Sequence, residues 1–132
     1  MKKSNCIGVC LDHAEANLME FTTEPITTKT IYSKFNHLEK EDALKKSESL
    51  MHNKEKGEMS VYYKKLSKIL QPFTEIILFG PSDAKVELFH LLKADSHFAT
   101  INITVAQTDK MTENQQHAYV RAHFSRKMNI VL

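Results

Sequence analysis

The sequence predicts a single α/β domain, residues 1–132, in which a mixed five-stranded sheet is flanked by helices in three layers. Two observations carry this. The first 35 residues hold three extended runs separated by turn residues, whereas the second half alternates apolar runs with segments of helical period. Hydrophobic residues make up 42% of the 132, enough for one core of the usual domain size. The order is β-β-β-loop-α-β-α-β-α.

Ile7-Gly8-Val9-Cys10-Leu11 is a short apolar run, as expected of a strand covered on both faces. Asp12-His13-Ala14-Glu15 interrupts it as a turn, and Ala16 to Thr22 resumes in extended style, so the two form a hairpin. Ile26 to Phe35 is a third strand, and its Lys29 and Lys34 suit a sheet edge, where charge discourages foreign pairing. From Asn36 to Glu58, charge dominates and the apolar face is thin, which predicts a long mobile loop before a helix starting near Met59.

In that helix, Met59, Tyr62, Leu66, Ile69, Leu70 and Phe73 share one face, and Lys64, Lys65 and Lys68 take the other. Ile76 to Phe79 is a buried strand closed by Gly80-Pro81, with Pro81 expected in the first turn of the next helix. Ala84, Leu88, Leu91 and Leu92 form that helix's inner stripe. Ile101, Ile103 and Val105 alternate as a last strand. Thr112 and Gln115 make a capping box for the last helix, which packs through Val120, Phe124 and Met128.

A net charge of +2 does not by itself announce nucleic acid, so a basic surface must come from local clustering. Lys64, Lys65 and Lys68, with Lys54 and Lys56 ahead of them, form one candidate RNA-binding face. Arg121, Arg126, Lys127, His117 and His123 on the last helix form another, although a solvated helix face accounts for either taken singly. Cys6 and Cys10 would share a strand face ~13 Å apart, too far to bridge, and read as reduced core residues. The apolar run after the basic N-terminus is broken by Asp12. It is too short for a signal or a membrane span, so a cytoplasmic chain without membrane contact is expected.

Right-handed crossovers make the first, fourth and fifth strands parallel. Asp12 and His13, then Gly80, Pro81 and Ser82, then Thr108, Asp109 and Lys110 would all lie at the carboxyl edge, where open α/β sheets take ligands. Asp12, Asp83 and Asp109 could be read as the carboxylates of a metal-dependent nuclease or phosphoesterase, although caps and turns explain each equally. His13 lacks an identifiable Ser or Cys nucleophile. Gly80-Pro81-Ser82 could hold an anion with Lys85 one turn along, but without the glycines of a P-loop. No cofactor and no structural metal is expected.

Three stretches carry a resemblance when taken together. They are Leu11 to Ala16, Ile76 to Leu88 and Thr108 to Gln115. They resemble a family of small bacterial proteins related to the central domain of archaeal and eukaryotic class-1 release factors and of Pelota. That resemblance implies a ribonuclease-H-like fold. In release factors a Gly-Gly-Gln loop precedes the long helix; the matching position here is Lys56-Gly57-Glu58, which implies that peptide release is absent. The expectation is a non-enzymatic, translation-related module contacting ribosome or RNA, with no DNA partner. A nuclease and a stress-related protein-interaction module are the alternatives.

Overall fold

A computed structural model describes residues 5–21, 28–33 and 48–127, with the side chains of 48–58 and of Lys127 outside that description. The elements run β1 (Cys6–Leu11), β2 (Glu15–Phe21), β3 (Thr28–Tyr32), α1 (Glu48–Leu70), β4 (Glu75–Gly80), α2 (Ala84–Lys93), a 3₁₀ turn (Ser96–Phe98), β5 (Asn102–Gln107) and α3 (Glu113–Lys127). The sheet order is β3-β2-β1-β4-β5, with β2 antiparallel to both neighbours and β1, β4 and β5 parallel. This is the mixed, ribonuclease-H-like arrangement expected. The strand period of two then sorts side chains between two cores.

Ile7, Val9, Leu11, Leu18, Ile76 and Leu78 face α1 and α2, which return Tyr62, Leu66, Leu70, Leu88 and Leu92 onto them. Cys6, Met19, Ile77 and Phe79 face α3, which returns Val120 and Phe124. Gly8 makes that second layer possible, since a Cβ there would lie 2.3 Å from Val120 Cγ2. Tyr119 stacks on Phe79 with centroids 4.5 Å apart. Cys6 and Cys10 share the α3 side as thiols, and no helix among the described residues is long and apolar enough to cross a membrane.

Three boundaries differ from the sequence reading. Helix α1 starts at Glu48 rather than near Met59, so half of the expected 36–58 loop is helical and the rest, 36–47, lies outside the described residues. Glu, Leu, Met and Lys are good helix formers, and lone Gly57 costs only about 1 kcal/mol, so helix needs no apolar stripe there. Lys56-Gly57-Glu58 is therefore inside a helix, not on a loop. Helix α2 begins at Ala84 with Asp83 as N-cap, leaving Pro81 in the preceding bend. Residues 22–27 lie outside the description, and within it the third strand is Thr28–Tyr32. Lys29 is exposed on that edge strand as expected, while Lys34 and Met128 lie outside the described residues.

Candidate functional site at the carboxyl edge of the sheet

Three turns meet at one end of the parallel strands. After β1, Asp12 Oδ1 accepts hydrogen bonds from the backbone N–H groups of Ala14 (2.7 Å) and Glu15 (2.9 Å), which fixes the hairpin turn. After β4, Gly80 adopts φ +149°, and a Cβ there would lie 2.4 Å from Leu11 O. Only glycine lets the first and second of these turns approach so closely. After β5, Thr108 N–H donates to Gly80 O (3.2 Å), closing the third turn onto the second.

Lys85 holds the last two turns together. It is only 2% exposed, and its Nζ donates to Ser82 O and, at 2.6 Å, to Gln107 Oε1. Gln107 Nε2 in turn donates to Pro81 O (3.2 Å). The sequence placed Lys85 as a possible anion ligand; the ammonium is spent inside the fold instead. The missed partner was Gln107, whose role leaves no local sequence signal.

The middle of α1 is fastened to the same edge. Tyr62 OH donates to Asp12 O (3.0 Å), and Tyr63 OH donates to Glu87 Oε1 (2.6 Å). His13 Nε2 lies 3.2 Å from that same Glu87 oxygen, so the β1–β2 turn, α1 and α2 share one carboxylate. His13 thus finds a carboxylate rather than a nucleophile. Burial, first, then the Asp12 and Glu15 charges for Tyr62 and the hydrogen bond to Glu87 for Tyr63, push both phenols well above the usual tyrosine range, so each keeps the proton it donates.

On the α3 side, a small cavity of about 150 Å³ is lined by Cys10, Asp12, Glu15, Asn17, Lys110 and Gln116 among others. Burial, reinforced by Asp12 and Glu15, pushes the Cys10 thiol up to about 11. A thiol held protonated at neutral pH is a poor nucleophile. Gln116 Oε1 accepts from Asn17 Nδ2 (3.0 Å) and Asn17 Oδ1 from Thr30 Oγ1 (2.8 Å), a polar seam that seats α3 across β2 and β3. An open groove of about 820 Å³ runs beside it, between the loop carrying Asp109 and Lys110 and the α3 residues Ala118 and Tyr119.

The candidate acids do not assemble. Asp12 and Lys110 line the small cavity, and Asp109 lines the groove. Asp83 makes no side-chain capping bond. Among the described residues, no three His, Cys, Asp or Glu side chains converge as metal ligands. The expected capping box does form, with Gln115 N–H on Thr112 Oγ1 (3.2 Å) and Thr112 N–H on Gln115 Oε1 (2.9 Å).

Of the basic faces, Lys64, Lys65 and Lys68 are exposed along α1, opposite the buried Tyr62, Leu66 and Leu70. The side chains of Lys54 and Lys56 lie outside the described residues. On α3, His117 is engaged with Thr28 Oγ1 and His123 stacks edge-on to Phe124, which leaves Arg121 and Arg126 to dress that helix.

No protein-family model matches the sequence, and no curated protein matches it. Solved structures do match. The Pelota of Archaeoglobus fulgidus aligns with a TM-score of 0.64 at 10% identity, over 96% of this chain and 34% of that one. The Pelota of Thermoplasma acidophilum aligns with a TM-score of 0.54 at 15% identity, over 93% of this chain and 32% of that one. An archaeal translation termination factor aligns with a TM-score of 0.48 at 12% identity, over 95% and 40%. The chain spans about a third of the length of the two Pelota structures, and its fold is similar to part of them.

Proposed function

We propose that this chain is a non-enzymatic, translation-related binding module that contacts ribosome or RNA through Lys54, Lys56, Lys64, Lys65 and Lys68. The observation that carries the reading is the exposed row Lys64, Lys65 and Lys68 on α1, on a fold similar to part of Pelota. Since Tyr62 is fastened at the turn after β1 and the helix starts at Glu48, α1 continues for ~20 Å past that anchor at 1.5 Å per residue. In sequence this stretch carries Lys54 and Lys56, ahead of the exposed Lys64, Lys65 and Lys68.

The reading includes no peptide release, and the residues at the position that the resemblance assigns to the release tripeptide support it. Lys56-Gly57-Glu58 has neither the second glycine nor the glutamine of the release tripeptide, and it is helical. The test is co-sedimentation with ribosomes, paired with a peptidyl-tRNA hydrolysis assay. Binding at ~50 mM salt that weakens towards ~200 mM, with no hydrolysis, is the expected result. Failure to pellet even at the lower salt, where electrostatic attraction is strongest, contradicts it.

A further inference from the structure

We infer that β5 is a self-association edge, through which two copies of this chain pair antiparallel about a two-fold axis at Val105. The two five-stranded sheets then join into one of ten strands. Strand β5 ends the sheet order, and among the described residues nothing pairs with its outer side. Asn102 N–H donates to Thr74 O and Thr108 N–H to Gly80 O, so the even-numbered backbone groups point towards β4. Alternation then turns the N–H and C=O groups of Ile103, Val105 and Gln107 outwards.

That edge carries none of the usual protections. Asn102-Ile103-Thr104-Val105-Ala106-Gln107 has no charge and no proline, and it centres on the β-branched run Ile-Thr-Val. The opposite edge, β3, has exposed Lys29 within its five residues. A neutral edge beside a charged one singles out β5.

A second copy fits because the strand is complementary to itself. With the axis at Val105, Val105 faces Val105, Ile103 faces Gln107 and Thr104 faces Ala106, so no like charges meet. Each outward residue lands in a hydrogen-bonded pair that exchanges both N–H···O bonds. Faces are preserved too: Ile103 and Val105 pack on the α1–α2 side in both copies, while Ala106 packs on the α3 side. Such an isologous contact closes after two copies.

A six-residue strand is only ~20 Å long, so strand pairing needs help to reach the ~1,200 Å² that stable interfaces bury. Helix α2 supplies it. Glu87 is bonded to α1 and Lys85 to β5, on opposite sides of the helix, so the Lys85 side flanks the open edge. Phe89, one turn from Lys85, is half-buried there, and Val86 is 37% exposed. The two-fold axis sets the two α2 helices antiparallel, which brings Lys93 at one end towards Asp83 at the start of the other.

Sedimentation equilibrium of the full chain at ~50 µM tests this, a concentration at which a micromolar Kd leaves most chains paired. The expected mass is twice 15.2 kDa. Val86→Lys places like charges across the axis on an already exposed position, and Val105→Pro removes an outward N–H; each is expected to give a folded monomer by circular dichroism. Amide exchange of the unmodified chain gives an independent readout should Val105→Pro fail to fold. The amides of Ile103, Val105 and Gln107 should be protected, and should lose protection in Val86→Lys. A monomeric unmodified chain, a dimer that persists in folded Val86→Lys, or rapid exchange at those three amides overturns the proposal.

Discussion

Tyr62 donates its phenolic hydrogen to the backbone oxygen of Asp12 at 3.0 Å, bonding the middle of α1 to the turn that ends β1. The next residue, Tyr63, bonds Glu87 of α2, which also meets His13 of that same turn. Two consecutive side chains thus fix both the depth and the rotation of the helix on the sheet. The exposed lysines take their direction from this anchoring.

Removing either hydroxyl tests the anchor. Tyr62→Phe removes the donor to a part-buried carbonyl and Tyr63→Phe releases a short bond to a carboxylate, and each is expected to cost ~1–2 kcal/mol in urea unfolding. Since Tyr63 and Glu87 act as a pair, the double variant Tyr63→Phe/Glu87→Gln should cost less than the sum of its parts. Full additivity would show that the pair is not coupled.

The two tight glycines should respond differently to a second mutation. Gly8→Ala meets Val120 Cγ2, a side-chain atom, and is expected to cost ~1–3 kcal/mol, part of which Val120→Ala restores. Gly80→Ala meets the backbone oxygen of Leu11 and also holds φ +149°, so no side-chain truncation should rescue it. Thermal unfolding of the two singles and of the Gly8→Ala/Val120→Ala pair checks both statements.

Stability should fall on the alkaline side. Burial, then Asp12 and Glu15, raise the Cys10 thiol from its ordinary 9.0 to about 11, and the phenols of Tyr62, Tyr63 and Tyr119 are raised as well. These groups ionise earlier in the unfolded chain, which therefore binds fewer protons than the folded chain above pH ~9. The Cys10 contribution is complete below that pH and is lost as pH climbs towards about 11, while the contribution of the Tyr62 and Tyr63 phenols goes on falling beyond it. Urea midpoints should drop across this window, less steeply in Cys10→Ala. In the unmodified folded chain, Cys10 should alkylate slowly at about pH 8.

How much of this was legible in the sequence depends on the range of the signal. Strand runs such as Ile76 to Phe79 and the Thr112–Gln115 box lie within a few residues, so their pattern reads directly. Topology followed from crossover handedness, which brought Asp12, Gly80 and Asp109 to one edge. Burial of Lys85 was not legible, because the carbonyl and amide that hold it come from a turn and from a strand 22 residues away. Asn17 and Gln116 meet across 99 positions, with neither residue marked locally. The start of α1 was hidden for a different reason. Residues 48–58 carry good helix formers but no apolar stripe, and the stripe is what marks a helix in a sequence.

The central claim, that the exposed lysines of α1 contact nucleic-acid phosphates, is tested most directly by the salt dependence of ribosome or RNA binding. The comparison is between the unmodified chain and the triple variant Lys64→Glu/Lys65→Glu/Lys68→Glu. If these residues neutralise phosphates, the slope of log K against log salt should flatten by ~2, at about 0.7 for each single-strand phosphate no longer neutralised, with a large drop in affinity at low salt. An unchanged slope and affinity in a folded triple variant would contradict the account.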